Sequence, residues 1–509
     1  MILKDLVGDL PALSISGRLD RPIAAVALAA EDVEPGDLYV ATEPNLDGGD
    51  LDVSTALRRG AHAVVIPLSL EIGPHTHATV VRVRDSRDAL GRVLAAACDR
   101  PSQALEALAV TGTNGKTTTA WLLSEILTSC GVRTGLIGTV EIRVGAERQP
   151  ASYTTPPARV LQPLLAEMRA AHCTHVVMEA SSHGLALGRL AGTRIQVAGF
   201  TNLTRDHLDF HGTTEAYAAA KARLFTDFAR AACIAIDDQH GVSLADRYSG
   251  PKLTVSTAGA PGDLRVRRAS HSVAGTVVEI EGVLGHRTLE LSLLGAYNVQ
   301  NALVALGMAV LAGQDPTLAI EALARAKGAP GRCEVVSGAR RVIVDYAHTP
   351  DALERVLSTL RPLTAGRLIC IFGAGGERDK GKRPLMGKAV AELADLAVVT
   401  SDNPRSEPPE SIIADIVEGM TGPARIEVEP DRRQAIVRAI RAATVQDIVL
   451  IAGKGHETTQ TIQGQAHVFD DRQVAAEVLA GLTACSVWRA PARSRRCDRR
   501  RGAAGRRRA

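Results

Sequence analysis

The chain has 509 residues, too many for one hydrophobic core, and at roughly 150 residues per domain about three domains are expected. Its apolar share of 45% and charged share of 23% are those of an ordinary globular protein, which favours neither a disordered nor a membrane-spanning chain, while aromatics at 3% leave the cores to Ala, Val, Leu and Ile. The net charge of +3 averages two unlike parts: residues 485–509 hold ten arginines against Asp498, a net +9, so the rest of the chain carries −6 and does not read as a nucleic-acid binder.

No basic and apolar leader opens the chain, and no apolar run approaches the roughly 20 residues that span a bilayer, so a cytoplasmic protein with no membrane insertion is expected. The eight cysteines, Cys98, Cys130, Cys173, Cys233, Cys333, Cys370, Cys485 and Cys497, lack the close pairs of disulfide frameworks or zinc sites and are expected to be buried or incidental thiols.

In chain order, residues 1–105 carry short apolar runs (Leu38 to Ala41, Ala63 to Ile66) separated by polar and Gly-containing turns, the pattern of a small α/β module. Leu105 to Val110 predicts a strand, Thr118 to Leu123 a helix, and together with the turn between them they open a doubly wound α/β domain over 106–333. Further strands are predicted at His175 to Met178 and Val197 to Phe200, a helix over Glu215 to Phe228, and a strand-rich insertion or edge between Val266 and Leu294. A second α/β block, 334–484, has predicted strands at Arg341 to Val344, Leu368 to Phe372, Leu396 to Thr400 and Ile448 to Ala452. Each runs into a loop rich in Gly or charge, where open α/β sheets bind ligands. The arginine-rich tail, 485–509, is low in complexity and expected to be disordered.

The turn Gly112-Thr113-Asn114-Gly115-Lys116-Thr117-Thr118 lies between strand and helix, where backbone N–H groups and the helix dipole cradle phosphate. Lys116 is placed to neutralise β/γ-phosphates and Thr117 to ligate Mg²⁺. The spacing differs from the standard P-loop, since Val110 stands where the first glycine is expected. Glu179 ends a buried strand, and Asp206 and His207 follow another apolar run, each with access to a bound metal; alone, any of them reads more often as a structural or solvated residue.

From Thr111 onward the chain resembles the Mur ligases, ATP-dependent enzymes that form peptide bonds to nucleotide-linked muramyl peptides. The residues that carry the resemblance are TGTNGKTTT, Thr154-Thr155-Pro156, EASSHGLALGRL, FTNLTRDHLDFHGTTEAYAAAKARLF, GAYNVQNALVAL, GRCEVV, VDYAHTPDAL, GAGGERDKGKRPLMG, SDNPR and GKGHE, in order from about residue 105 to about 475. The resemblance implies three α/β domains: an N-terminal UDP-substrate domain (1–105), a central ATP-binding domain with a P-loop-type doubly wound sheet (106–333), and a Rossmann-like amino-acid domain (334–484). It assigns ATP phosphates to Gly112 through Thr118, and the adenine and ribose to the neighbourhood of Asn298, Asn301, Arg332 and Asp345. Glu179 and His207 resemble residues that help hold Mg²⁺, and Lys221 the family's carbamylated lysine, a modification that needs an unprotonated amine. Without the resemblance, Lys221 reads as a surface helix lysine. Thr154, Thr155, Ser181 and Arg189 match positions that hold UDP-MurNAc-dipeptide.

Asp402-Asn403-Pro404-Arg405 resembles the motif of members that add meso-diaminopimelate, and Arg378, Gly453 and Glu457 match their remaining acceptor contacts. A planar guanidinium pairs bidentately with a carboxylate, so Arg405 suits the carboxylate that lysine lacks. The implied activity is ATP-dependent ligation of meso-2,6-diaminopimelate to UDP-N-acetylmuramoyl-L-alanyl-D-glutamate through an acyl phosphate, by a monomer whose domains close during turnover. Alternatives are a related ligase adding lysine or extending folate with glutamate, and a non-catalytic nucleotide-binding relative. The stretch Ala29 to Tyr39 lacks the Ser-Arg pair expected at the uridine end, and Leu187 stands where some relatives have a substrate-contacting Gln.

Overall fold

The computed structural model describes residues 1–45, 47–73 and 77–487; the arginine-rich tail from residue 488 on lies outside the described residues. The chain divides into two compact units, the first being Met1–Arg332 and the second beginning at Cys333.

The first unit contains two sheets. The smaller has five strands in the order Ala12–Ser16, Thr79–Val83, Ala63–Pro67, Leu38–Val40, Val26–Ala27, parallel except for the first pair. The larger has eleven, in the order Arg287–Leu291, Gly275–Gly282, Leu264–Ser272, Lys252–Ser256, Ala229–Ala235, Ile195–Phe200, Glu106–Thr111, His175–Glu179, Thr134–Ile137, Glu141–Val144, Glu147–Pro150. Its middle is parallel and both edges are antiparallel hairpins, so the strand-rich patch before Leu294 is an edge of this sheet.

The middle strands read as unbroken apolar runs because both of their faces are buried. In Glu106–Thr111, Leu108 and Val110 join a core with Leu122, Leu123 and Ile126 of helix Lys116–Ser129 and Leu303 of helix Ala296–Leu311. Ala107 and Ala109 face the opposite core, with Leu161, Leu165 and Met168 of helix Ala158–Ala170. The sheet is thus doubly wound, and each fully buried Leu contributes about 1.5–3 kcal/mol of transfer free energy. Helix Thr214–Arg223 stops short of the expected Phe228 because residues Leu224–Phe228 continue it as a π-turn.

The second unit is built on a six-stranded sheet ordered Glu334–Val336, Arg341–Asp345, Ile448–Ala452, Leu368–Phe372, Leu396–Val399, Arg425–Val428, parallel after the first pair. A hairpin, Thr459–Ile462 with Gln465–Val468, turns through Gln463 (φ 49°) and Gly464 (φ 76°), both left-handed as a two-residue primed turn requires. The last helix runs Asp471–Val487, so the first three residues of the expected tail are still helical. Among the described residues no helix is long and apolar enough to cross a membrane. The six cysteines from Cys98 to Cys370 are free thiols, four of them buried.

Candidate active site

Parallel register fixes the first site. Glu179 pairs opposite Val110 and Phe200 opposite Thr111, so three strands end together just where the chain enters Gly112. The turn then presses against its neighbours so closely that two positions admit only glycine. A Cβ at Gly112 (φ 153°) would lie 1.9 Å from Thr201 Oγ1, and one at Gly115 (φ 87°) 2.1 Å from Asn301 Oδ1. Asn202 anchors the turn from the next strand end: its carbonyl accepts from the Thr113 N–H (2.8 Å) and its Oδ1 from the Asn114 N–H (3.1 Å). Thr113 Oγ1 accepts from the Thr204 N–H (2.9 Å) and the Tyr217 hydroxyl (3.1 Å). Thr117 and Thr118, in the first helical turn, are buried.

Two lysines converge on this turn. Lys116 Nζ donates to the carbonyls of Gly112 (3.0 Å) and Thr113 (2.9 Å), and Lys221 Nζ donates to the same Gly112 carbonyl (2.7 Å). The expectation of a surface lysine from residue pattern alone is overturned: Lys221 is only 2% exposed, with its ammonium 4.5 Å from the Tyr217 ring centroid. Burial, then the positive charge of Lys116, push its pKa well below the ordinary lysine value, against the weaker pull of Asp206. Lys116 is lowered too, first by burial, with Glu179 opposing.

Glu179 is buried and tightly held. Its carboxylate accepts from Thr117 Oγ1 (3.0 Å), from the Thr139 N–H (2.7 Å) and from Thr139 Oγ1 (3.1 Å). Arg332 Nη2 reaches Thr117 Oγ1 at 3.4 Å. His207 has a left-handed backbone (φ 51°) and stacks edge-on against His183, ring centroids 4.8 Å apart. Burial lowers its pKa, against Asp206, and Lys116 and Lys221 lower it further, so the imidazole stays neutral and able to ligate. Among the described residues no group of three or more His, Cys, Asp or Glu could hold a metal ion by itself. A hydroxyl and a carboxylate beside a phosphate-type loop nevertheless suit Mg²⁺, which keeps waters and shares phosphate oxygens instead of filling an all-protein cage.

Thr154 bonds Thr139 through their hydroxyls (3.0 Å). Thr155 Oγ1 donates to the Glu179 carbonyl (2.8 Å) and accepts from the Ser181 N–H (2.9 Å), while Ser181 Oγ caps the next helix through the Gly184 N–H (3.1 Å). Arg189 donates to the Thr155 carbonyl (2.6 Å) and grips Asp47 bidentately at 2.8 and 2.6 Å. A cleft lined by Leu28, Thr42, Asp47, Arg87, Leu187 and Arg189 opens beside this pair. Asn298 and Asn301 are buried and bond each other (3.1 Å), Asn298 also donating to the Leu294 carbonyl (2.9 Å).

The remaining expected residues lie in the second unit. Asp345 Oδ2 accepts from the Cys333 N–H (2.7 Å) and Oδ1 from the Ala347 N–H (2.8 Å). Asp402, Asn403, Pro404 and Arg405 come after strand Leu396–Val399, and Gly453 after Ile448–Ala452. The two segments meet: a Cβ at Gly453 (φ 117°) would lie 2.4 Å from Asp402 Oδ2, and Asn403 Nδ2 donates to Glu457 Oε2 (2.8 Å). Arg405 (φ 55°) is pinned by its N–H to the Thr461 carbonyl (3.0 Å) and by Nη1 to the Gly376 carbonyl. Its Nε and Nη2 make no hydrogen bond among the described residues, which leaves that edge of the fork for a carboxylate. Arg378 is exposed nearby in the Gly375 loop, where a Cβ at Gly375 would touch both arginines.

Several residues that matter here were not singled out from sequence. Lys454, fully buried, donates to Asn403 Oδ1 (3.1 Å) and Glu457 Oε2 (3.0 Å) and so fixes both; its signal was the lysine inside GKGHE. Thr139 and Asp47 gave no local signal, since their partners lie 40 and 142 residues away.

Comparison with known proteins shows two family matches: the Mur ligase middle domain over residues 110–309, and the Mur ligase, glutamate ligase domain over residues 331–455. A UDP-N-acetylmuramoyl-L-alanyl-D-glutamate–2,6-diaminopimelate ligase of Syntrophomonas wolfei is 40% identical over 94% of this chain and 99% of its own. The enzyme of the same name from Gloeobacter violaceus is 42% identical over 91% and 94%. A solved structure of a ligase so named superposes with a TM-score of 0.70 at 36% identity, covering 95% of this chain and 99% of that one.

Proposed function

This chain belongs to the Mur ligase family, and from that premise we propose that it joins meso-2,6-diaminopimelate to the D-glutamyl carboxylate of UDP-N-acetylmuramoyl-L-alanyl-D-glutamate, with ATP cleaved to ADP and phosphate. The observation that carries the reading is the convergence of Lys116, Lys221, Glu179 and His207 on one glycine turn at the ends of parallel strands.

The turn Gly112 to Thr118 cradles the triphosphate, and Lys116, now spanning two backbone carbonyls, turns to the transferring phosphoryl oxygens. Asn298, Asn301 and Arg332 serve the adenosine end. Thr117, Glu179, His207 and a carbamylated Lys221 would hold Mg²⁺, which supplies Lewis-acid neutralisation of phosphoryl charge. The depressed pKa of Lys221 favours carbamylation: its neutral amine forms an N–C bond to CO₂ and releases a proton, turning a buried neutral amine into an anion. The dipeptide, held by Thr154, Thr155, Ser181 and Arg189, presents its carboxylate to the γ-phosphorus, giving ADP and an acyl phosphate. Attack by the acceptor amine then passes through a tetrahedral intermediate and expels phosphate.

On the acceptor side, the open edge of Arg405 takes the distal carboxylate, with Arg378, Gly453, Pro404 and Asn403 around it and Asp402 and Glu457 facing the distal amine. Lysine would leave the guanidinium unpaired, the kind of mismatch that separates substrates by about 10⁴-fold. Phosphate release measured with ATP, the UDP-dipeptide and either diaminopimelate, lysine or glutamate tests the reading. It should rise with diaminopimelate only, and release driven by lysine or glutamate would replace it with the related-ligase alternative.

A further inference from the structure

Arg432 is fully buried, as is the residue it pairs with, Asp471. Its Nε and Nη2 donate to the two Asp471 oxygens at 2.8 and 2.7 Å. The rest of the guanidinium is spent on backbone: Nη1 donates to the Ser401 carbonyl (3.3 Å) and Nη2 to the Ala452 carbonyl (2.9 Å). Ser401 directly precedes Asp402-Asn403-Pro404-Arg405, and Ala452 directly precedes Gly453-Lys454. The strands leading to these segments are not neighbours, because Leu368–Phe372 lies between them. No ladder hydrogen bond can therefore set their separation; the Asn403–Glu457 and Lys454–Asn403 bonds join the segments beyond the strand ends, and the Arg432 side chain spans the gap at the strand ends themselves. A Cβ on Gly453 would lie 3.9 Å from Arg432 Nη2, so the guanidinium forms the floor behind Gly453 and Asp402.

We propose that Arg432 is the positioning residue of the amino-acid acceptor site: its fork fixes the distance between Arg405 on one strand end and Gly453, Lys454 and Glu457 on the other. The inference rests on the acceptor reading above and deepens it. A guanidinium is suited to the task because its donors lie in one rigid plane, two toward Asp471 and two toward the carbonyls, whereas an ammonium offers three donors from a single point. The charge is secure: burial opposes it, but Asp471, then Asp402 and Glu457, hold the group protonated.

The test uses the full-length enzyme with Arg432→Lys, and the double variant Arg432→Met/Asp471→Leu, which removes both charges and leaves no buried carboxylate unpaired. Kinetics are run with whichever of diaminopimelate, lysine or glutamate the wild type ligates. In both variants KM for the amino acid should rise about tenfold or more, with KM for ATP within about twofold and kcat at saturating acceptor within about threefold. Preference for the wild-type acceptor over the next best should narrow by about tenfold. An unchanged acceptor KM and preference in either folded variant overturns the inference, as does a fall in kcat alone, which a smaller folded fraction would give. A wild type that ligates none of the three amino acids sinks the functional reading, and this inference with it; a normal wild type with unaffected variants sinks the inference alone.

Discussion

Lys221 and Lys116 share one carbonyl acceptor, and two ammonium groups so close cannot both keep ordinary pKa values. The more strongly shifted one yields, and its neutral amine is the species that the proposed carbamylation requires. A carbamate signal in ¹³C NMR of protein equilibrated with labelled bicarbonate is therefore expected at neutral pH. It should fade on acidification, as the amine gains its proton, and be absent from Lys221→Arg, with activity down by on the order of 10²–10³. At the acceptor end, Arg405→Ala should lower diaminopimelate turnover and cut its preference over lysine by at least about a hundredfold, read as the ratio of kcat/KM values. Both effects belong to single side chains whose neighbours already hold them in place.

At the level of elements, strand starts as well as strand ends are tied down. Asp447 accepts from the Arg367 N–H (2.6 Å), the Thr444 N–H (2.8 Å) and Arg367 Nη2 (2.9 Å), joining the starts of Leu368–Phe372 and Ile448–Ala452. Burial works against its charge, yet these bonds bring its pKa down to about 2. A carboxyl depressed in the folded state stabilises above its unfolded pKa of about 3.9 and loses that contribution as pH falls toward the folded value. With Arg367 half exposed and screened, the contribution is about 1 kcal/mol. Tm followed from pH 6 to pH 2.5 should thus fall less steeply in Asp447→Asn than in the wild type, the variant starting lower. Such strands were legible in sequence because periodicity and β-branched runs are local: Leu368–Phe372 and Ile448–Ala452 emerged with the expected bounds. The glycine turn was legible for the same reason, a strand, two glycines and a lysine in one short stretch. Partners distant in sequence could not be read, such as Asp47 with Arg189 and Arg432 with Asp471, nor could the burial of Lys221. A lone helix lysine carries no mark of the chain that folds over it.

Over the whole molecule, the proposed chemistry is divided between a unit that holds the Gly112–Thr118 turn and one that holds the Asp402–Arg405 segment, each with its own largely parallel sheet. The described chain ends in a helix running to Val487, and every residue assigned to either site lies before that helix. Truncation after Val487 should therefore leave ligation within about twofold of the full chain, whereas Lys116→Ala, which removes the charge facing the phosphoryl group, should cost on the order of 10³ in kcat/KM. The reverse outcome would favour the non-catalytic nucleotide-binding relative over an enzyme. The most direct measurement is the mass of the product formed when purified protein is given ATP, Mg²⁺, UDP-N-acetylmuramoyl-L-alanyl-D-glutamate and an equimolar mixture of diaminopimelate and lysine. A single new amide carrying diaminopimelate, matched one for one by ADP, is predicted; a lysine adduct, or neither ADP nor amide, would contradict it.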